Sequence, residues 1–314
     1  MGDLESQFAL PLQSKLAIVT GSSRGIGAGI AWELARRGAN GDLKANESQV
    51  CMTYVSDNSK LLVEELRANI SQLPHKPMTW ACQADLSTTT GAQEVISQLK
   101  AYFGSDDLQI HILVNNAATE MVKNMQSVTL EDYNKVFNLN VRGYMLMTQA
   151  VVPYLAPKGR IINLSSVGAR VGFEGVSLYC ASKAAVESFT RSWASELGGD
   201  GTTVNAVAPG PVPSDMLDKI PKEIVDMQKT RTPVEHRLGT TEELRASWGG
   251  WQDPMPHGYR DRLSVQVVAG QCIRLYRREV RPPPPQGNQG SLLIIPEQHV
   301  LHISSCHWSK GYTG

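Results

Sequence analysis

The sequence predicts a doubly wound α/β fold: a parallel sheet covered by helices on both faces, in a single domain that ends in an atypical C-terminal tail. Three observations predict it. From Lys15 to about Ala208, short apolar runs alternate with longer segments of helical period. The runs are apolar throughout, without the alternation of a half-solvated strand, so both faces of the sheet are to be covered. A glycine-rich turn joins the first run to the first helical segment, and folds of this kind bind ligands beyond the carboxyl ends of their strands.

Taken in order, LAIVT makes a strand at Leu16–Thr20, and a helix follows over Ile26–Arg37, after the glycines. VCMTYV gives the strand Val50–Val55, followed by a helix over Ser59–Ile70. The third strand is Met78–Ala84 and its helix Gly91–Phe103; the fourth is Ile110–Val114, followed by a long helical pattern over Leu130–Leu155. RIINL makes the strand Arg160–Leu164, Ser177–Leu197 a helix, and TVNAV the strand Thr203–Val207.

Two segments do not fit this pattern. Gly41–Gln49 (GDLKANESQ) is polar and stands where the first helix should pass into the second strand, a connection usually about 2–6 residues long. From Arg245 onward the periodicity is lost, through WGGWQDPMPHGYRDR and RREVRPPPPQGNQG to SLLIIPEQHVLHI. The proline run Pro282–Pro285 reads as extended chain. The organisation expected is therefore an N-terminal arm (1–14), an α/β domain (15–244) and an atypical, poorly ordered segment (245–314). Both misfits read as sequence interposed into the fold, as retained intervening sequence or a shifted reading frame would leave it; the alternative for the nonapeptide is a genuine surface-loop insertion, which folds tolerate at small entropic cost.

The 314 residues include thirty basic and thirty acidic side chains, and no basic patch is interleaved with aromatics, which argues against a nucleic-acid partner. Residues 1–14 carry Asp3 and Glu5 and no long apolar run, so a signal peptide is not expected; neither is a membrane span, which needs roughly 18–20 apolar residues. Cys51, Cys82, Cys180, Cys272 and Cys306 form no CxxC pair, the pattern of reduced thiols in a cytoplasmic protein without a bound metal.

The chemistry-bearing residues begin with TGSSRGIG. Gly21 permits a tight turn, and Gly25 and Gly27 let backbone approach a phosphate at a helix N-terminus. The spacing Gly21-x-x-x-Gly25-x-Gly27 differs from the general GxGxxG fingerprint. Tyr179 and Lys183 are four residues apart on a helical segment and so share a face. A tyrosine ordinarily titrates near 10, so a phenolate at neutral pH needs roughly 4 kcal/mol of help, which an adjacent ammonium can contribute. Ser166 ends the fifth strand, where its hydroxyl can reach a substrate oxygen; neighbouring Ser165 exchanges places with it if the register slips by one.

These segments, with Asp85-Leu86, Asn115-Asn116-Ala117-Ala118, Asn140-Val141-Arg142-Gly143 and Pro209-Gly210-Pro211-Val212, occur in the order found in short-chain dehydrogenases/reductases. The chain resembles that family over roughly Lys15 to Glu243, and GSSRGIGAGIA and TPVEHRLG look most like fungal ketoreductases of the oxoacyl-reductase and polyketide-tailoring type. The resemblance implies a Rossmann-type domain and transfer of a hydride between a nicotinamide and a ketone or secondary alcohol. It implies Ser166, Tyr179 and Lys183 as the catalytic set, with Tyr179 as acid–base, and Asn140 in a helix kink holding a water that links Lys183 to solvent.

The cofactor-binding residues it implies are Gly21, Ser23, Arg24, Gly25, Ile26 and Gly27 in the loop, Asp85, Leu86 and Asn116 at strand ends, and Tyr179 and Lys183 at the nicotinamide ribose. Pro209, Gly210, Val212 and Ser214 complete the set, and Asp215–Gln228, with Met216, Leu217, Ile220, Val225 and Met227, corresponds to a lid. The second strand ends without a carboxylate before Asp57, while Arg24, Tyr54 and Ser56 stand where a 2′-phosphate would lie, which favours NADP(H). The bland reading of Arg24 is an ion pair with Asp57 or another acid.

Ala118 replaces the glycine usual in NNAG, and only Val268-Ala269-Gly270-Gln271 resembles the family's last strand. The family forms dimers or tetramers through that C-terminal region, which is atypical here. The leading expectation is a ketone reductase acting on a polyketide-like intermediate. The alternatives are the same chemistry run oxidatively and a catalytically weak NADP-binding protein.

Overall fold

In a computed structural model, the described residues are 12, 14–38, 49–215, 217–220, 222–231, 236–241, 243 and 265–268, all within one unit. Seven strands are present among them: β1 (Leu16–Val19), β2 (Gln49–Tyr54), β3 (Met78–Gln83), β4 (Ile110–Asn115), β5 (Leu155–Leu164), β6 (Thr203–Pro209) and β7 (Val265–Val268). They form one parallel sheet in the order β3-β2-β1-β4-β5-β6-β7. The order runs outward in one direction from β1 to β3 and in the other from β4 to β7, so a crevice opens beyond the ends of β1 and β4.

The helices are α1 (Gly25–Arg36), α2 (Asp57–Ile70), α3 (Gly91–Phe103), α4 (Leu130–Phe137), α5 (Tyr144–Val151), α6 (Ser177–Leu197) and α7 (Lys222–Arg231). Successive strand residues point to opposite faces, and the core divides accordingly. Ala17 and Val19 pack with Ile30 and Leu34 of α1 and Val63 of α2, whereas Leu16 and Ile18 pack with Val95 and Leu99 of α3 and Met147 of α5. Burying both faces explains why the strands read as unbroken apolar runs. Local signals set the helix starts: Ser56 accepts the Ser59 N–H at the head of α2, and Thr129 and Asp132 form a reciprocal capping box on α4.

Four expectations are corrected. The pattern Leu130–Leu155 is not one helix but α4, a π-helical stretch Asn138–Gly143, α5 and a 3₁₀ turn Val152–Tyr154. A π turn widens the helix without interrupting its apolar stripe, so periodicity does not reveal it. Strand β5 starts at Leu155, not Arg160, because a register shift between Ile110 and Ile112 absorbs the turn-like Pro157-Lys158-Gly159.

Gln49 belongs to β2 and not to the polar insert: it pairs with Leu16, and its N–H donates to the Lys15 carbonyl at 3.1 Å. The last strand lies at Val265–Val268, pairing with Ala206–Pro209, three residues ahead of the motif that suggested it. The rest of the insert, residues 41–48, and nearly all of 245–314 lie outside the described residues. Of residues 1–14 the structure describes Leu12 and Ser14; Leu12 is buried in the core and its N–H donates to the Arg37 carbonyl. Among the described residues, no helix is long and apolar enough to cross a membrane, and Cys51, Cys82 and Cys180 are free.

Candidate active site

A cavity of about 570 Å³ opens at the carboxyl ends of β1, β2, β4, β5 and β6, within the range of small-molecule and cofactor sites. Its floor is the glycine turn. Gly21 has φ +62°, and a Cβ there would lie 2.8 Å from the Ala117 Cα; a Cβ on Gly27 would lie 2.4 Å from the Gly21 carbonyl oxygen. The turn is also held from outside: Asn116 Nδ2 donates to the carbonyls of Thr20 (2.9 Å) and Gly21 (3.0 Å). Thr20 Oγ1 accepts the N–H groups of Asn116 and Ala117 at 2.8 and 3.0 Å. Asn116 thus positions the loop, and Thr20 is a supporting residue that an apolar strand pattern does not reveal.

Helix α1 begins here with no side-chain cap and no acidic residue in its first turn. Its leading N–H groups and its positive dipole end therefore suit an anion such as a pyrophosphate. Ser23, Arg24, Gly25 and Ile26 line this end of the cavity, as do Tyr54, Asp85, Leu86, Pro209, Gly210, Val212 and Ser214. Asp85 is shaped by a local turn, its Oδ1 accepting the Ser87 N–H at 2.9 Å and hydroxyl at 2.7 Å.

One cofactor-binding expectation changes. Ser56 does not line the cavity; its hydroxyl caps α2 and lies 2.8 Å from the hydroxyl of Ser59, which does line it. Arg24 lines the cavity and pairs with an acid, as its alternative reading had it: the partner is Asp215 at 3.1 Å, and both side chains are more than half exposed. In the lid, Leu217, Ile220, Ile224 and Gln228 line the cavity, whereas Val225 and Met227 do not; Met216 lies outside the described residues. Spacing of four along α7 puts Ile224 and Gln228 on one face.

At the other end, β5 delivers Ser165 and Ser166 together, and their surroundings distinguish them. Ser165 is buried, and its hydroxyl donates to Glu187 Oε1 at 3.0 Å and lies 3.4 Å from the Lys183 carbonyl, so it ties β5 to α6. Ser166 accepts the Gly168 N–H at 3.1 Å and hydrogen-bonds the Tyr179 hydroxyl. Burial pushes Tyr179 up to about 12, a shift that the Ser166 hydrogen bond opposes and the charge of Glu120 reinforces. Lys183 is 2% exposed, and burial pulls it down to about 7. Its ammonium donates to the Leu164 carbonyl at 2.6 Å and the Tyr144 hydroxyl at 3.2 Å, and lies 5.8 Å from the Tyr179 ring centre.

The Lys183 ammonium is turned toward Leu164 and Tyr144, and burial governs the Tyr179 phenol. Asn140 sits fully buried in the π-helical stretch. Its Nδ2 donates to the Thr119 carbonyl (2.8 Å) and Ser182 hydroxyl (3.0 Å), and its Oδ1 accepts the Thr119 N–H (2.8 Å). This side chain is a clamp between the post-β4 segment and α6.

The family model for short chain dehydrogenases matches residues 15–224, about two-thirds of the sequence. The chain belongs to the short-chain dehydrogenase family. It is an oxidoreductase of that family, with relatives among fungal reductases. A hydroxynaphthalene reductase of Aspergillus fumigatus is 41% identical over 207 residues, spanning 66% of this chain and 70% of the relative. A Burkholderia cenocepacia short chain dehydrogenase solved in complex with NADP is 31% identical, with a TM-score of 0.71, covering 83% of this chain and 98% of the other. A blue fluorescent protein from a metagenomic library, solved with NADPH, is 30% identical with the same TM-score and the same coverage.

In this short-chain dehydrogenase the sequence reading misses Tyr144, Glu120 and Asn163. Asn163 belongs to a buried ladder in which Asn115 Nδ2 donates to Thr148 (3.0 Å) and to Asn163 Oδ1 (2.9 Å), and Asn163 Nδ2 donates to Thr190 (2.9 Å). The only available signal was a polar residue inside an otherwise apolar strand, which burial obliges to find partners.

Proposed function

We propose that this short-chain dehydrogenase is an NADPH-dependent reductase of polyketide-like aromatic ketones, with Tyr179 as the proton donor. The observation that carries the reading is the convergence of Ser166, Tyr179 and Lys183 on one end of a cavity whose other end is a glycine turn and an uncapped helix N-terminus. When bound, the nicotinamide cofactor supplies the hydride. Ser166 holds the substrate oxygen, and Tyr179, kept protonated by its burial, gives its proton to that oxygen as the alcohol forms. Lys183, opposite the Tyr179 ring, supplies positive charge that stabilises the phenolate left behind and reaches the ribose.

Phe173, Val176, Leu217, Ile220 and Ile224 make the substrate end apolar and wide enough for a ring system. The likeness to a hydroxynaphthalene reductase supports a bicyclic aromatic ketone as the substrate class. Likeness to proteins solved with NADP and NADPH supports the phosphorylated cofactor. The test is NADPH oxidation with bicyclic hydroxyaromatic ketones, open-chain keto esters and ketoses side by side. Turnover should be fastest with the bicyclic ketones. Cofactor binding without turnover on any of them would leave a nucleotide-binding protein and defeat the proposal.

Cofactor choice has its own test. For Arg24 to meet a 2′-phosphate it exchanges Asp215 for the phosphate, a stronger charge-assisted partner. Arg24→Ala should weaken NADPH binding about ten- to a hundredfold and NADH binding much less, measured by fluorescence titration. Equal losses for the two cofactors would show that Arg24 shapes the loop and does not read the phosphate.

A further inference from the structure

We propose that Tyr144 is a positioning residue of the reaction: a second buried phenol that holds the Lys183 ammonium in place and keeps it charged. The inference rests on the assignment of Tyr179 and Lys183 as the proton-handling pair.

Tyr144 opens α5, directly after the π-helical stretch, and is buried beneath the cavity without lining it. Its hydroxyl is oriented at both ends. It donates to the Leu164 carbonyl at 3.3 Å and accepts from Lys183 Nζ at 3.2 Å, while Lys183 also donates to that same carbonyl at 2.6 Å. Ammonium, phenol and carbonyl thus close a triangle. The ammonium lies 5.1 Å from the Tyr144 ring centre and 5.8 Å from that of Tyr179, so it is held between two aromatic rings.

The charged surroundings are few. Tyr144 faces the ammonium from α5 and Tyr179 from α6, and the charge of Tyr179 adds to the burial that raises Tyr144. Glu120, after β4, and Cys180, on α6, act on Tyr179; Glu187 is turned away to Ser165 and Arg170. No carboxylate is paired with Lys183 among the described residues, and burial alone pulls it down. What favours its charged form is the pair of acceptors, the Leu164 carbonyl and the Tyr144 oxygen. A lysine that lost its proton would no longer help Tyr179 toward the phenolate.

Tyr144→Phe removes one acceptor and keeps the ring. Lys183 should then titrate lower, and the limb of the kcat/KM profile that reports Tyr179 should move toward alkaline pH by about one unit, the size expected of one hydrogen bond to a charged group. At neutral pH, alcohol oxidation should slow about tenfold and recover as pH rises, with the KM for cofactor within about threefold. A lysine-selective NMR titration of the cofactor-free protein, with Lys183→Met to assign the signal, should show the Lys183 pKa falling in the Phe variant.

A uniform loss of kcat with an unmoved pH limb would make Tyr144 mere packing and overturn the inference, as would an unmoved Lys183 titration. Tyr179→Phe is run in parallel. If that variant stays active, the underlying reading fails, whereas an inactive Tyr179→Phe beside an unshifted Tyr144→Phe sinks only this inference.

Discussion

Tyr179→Phe is expected to abolish nearly all turnover, by at least a hundredfold, while NADPH affinity stays within a few-fold of the parent. General acid–base catalysis by a positioned side chain contributes typically about 10²–10⁴-fold. In this site the Tyr179 hydroxyl stands beside Ser166 at the cavity wall, and the other phenol among the lining residues, Tyr54, belongs to the glycine-turn end. The ring itself stays in place, because phenylalanine keeps its contacts and its distance from the Lys183 ammonium. Steady-state reduction of a bicyclic ketone and fluorescence titration with NADPH measure the two effects separately. More than a tenth of the parental rate in the variant would remove Tyr179 from the proton-donor role. Ser166→Ala provides a companion measurement, since losing the hydroxyl that lowers the Tyr179 pKa should raise it further and slow the same step.

Much of this was legible because the sheet is buried on both faces. Leu16–Val19 contains nothing polar and Ile110–Val114 only His111, and a helix cannot be read into runs that short between glycine-rich and polar breaks. The glycine turn was legible for a different reason: its chemistry is backbone chemistry, and Gly21 and Gly27 are fixed by contacts no other residue tolerates. What escaped was whatever depends on three-dimensional neighbours. Ser165 and Ser166 are adjacent and chemically identical, so only the strand's orientation turns one to Glu187 and the other to Tyr179.

Tyr144 reads as an ordinary aromatic on an apolar helix face, and its hydroxyl acquires meaning only from a lysine 39 positions away. Arg24 was read by its charge, yet charge alone does not say that Asp215, far along the chain, meets it before any phosphate does. The strand Val265–Val268 is too short to stand out once the helix before it is unrecognisable; its place is fixed by Ala206–Pro209, the open edge on which it pairs.

Lys183→Met should separate function from stability. Turnover should fall by at least about a hundredfold, because the phenolate loses its charge partner and Tyr179 alone is held high by burial. NADPH affinity should fall as well, since the proposed function places the ammonium on the nicotinamide ribose. The cofactor-free protein, however, should become more stable. Folding pulls Lys183 from its ordinary value near 10.5 down to about 7, so the folded state disfavours the proton that the unfolded chain keeps.

Below about pH 7 both states carry that proton and the penalty is complete. Between about 7 and 10.5 the unfolded chain alone binds it, and stability rises with pH; above that range the penalty is gone. Methionine fills the same space without charge, and the Leu164 carbonyl keeps the Tyr144 hydroxyl as its donor at 3.3 Å, so no buried acceptor is stranded. Thermal melts of the cofactor-free protein at about pH 6 and 9 should show the parent gaining stability at the higher pH relative to the variant, with the variant ahead by a few kcal/mol at the lower. Parallel pH dependence in the two proteins would mean that Lys183 does not change charge on folding. Unchanged NADPH affinity would take it off the ribose, and leave its role confined to the phenol beside it.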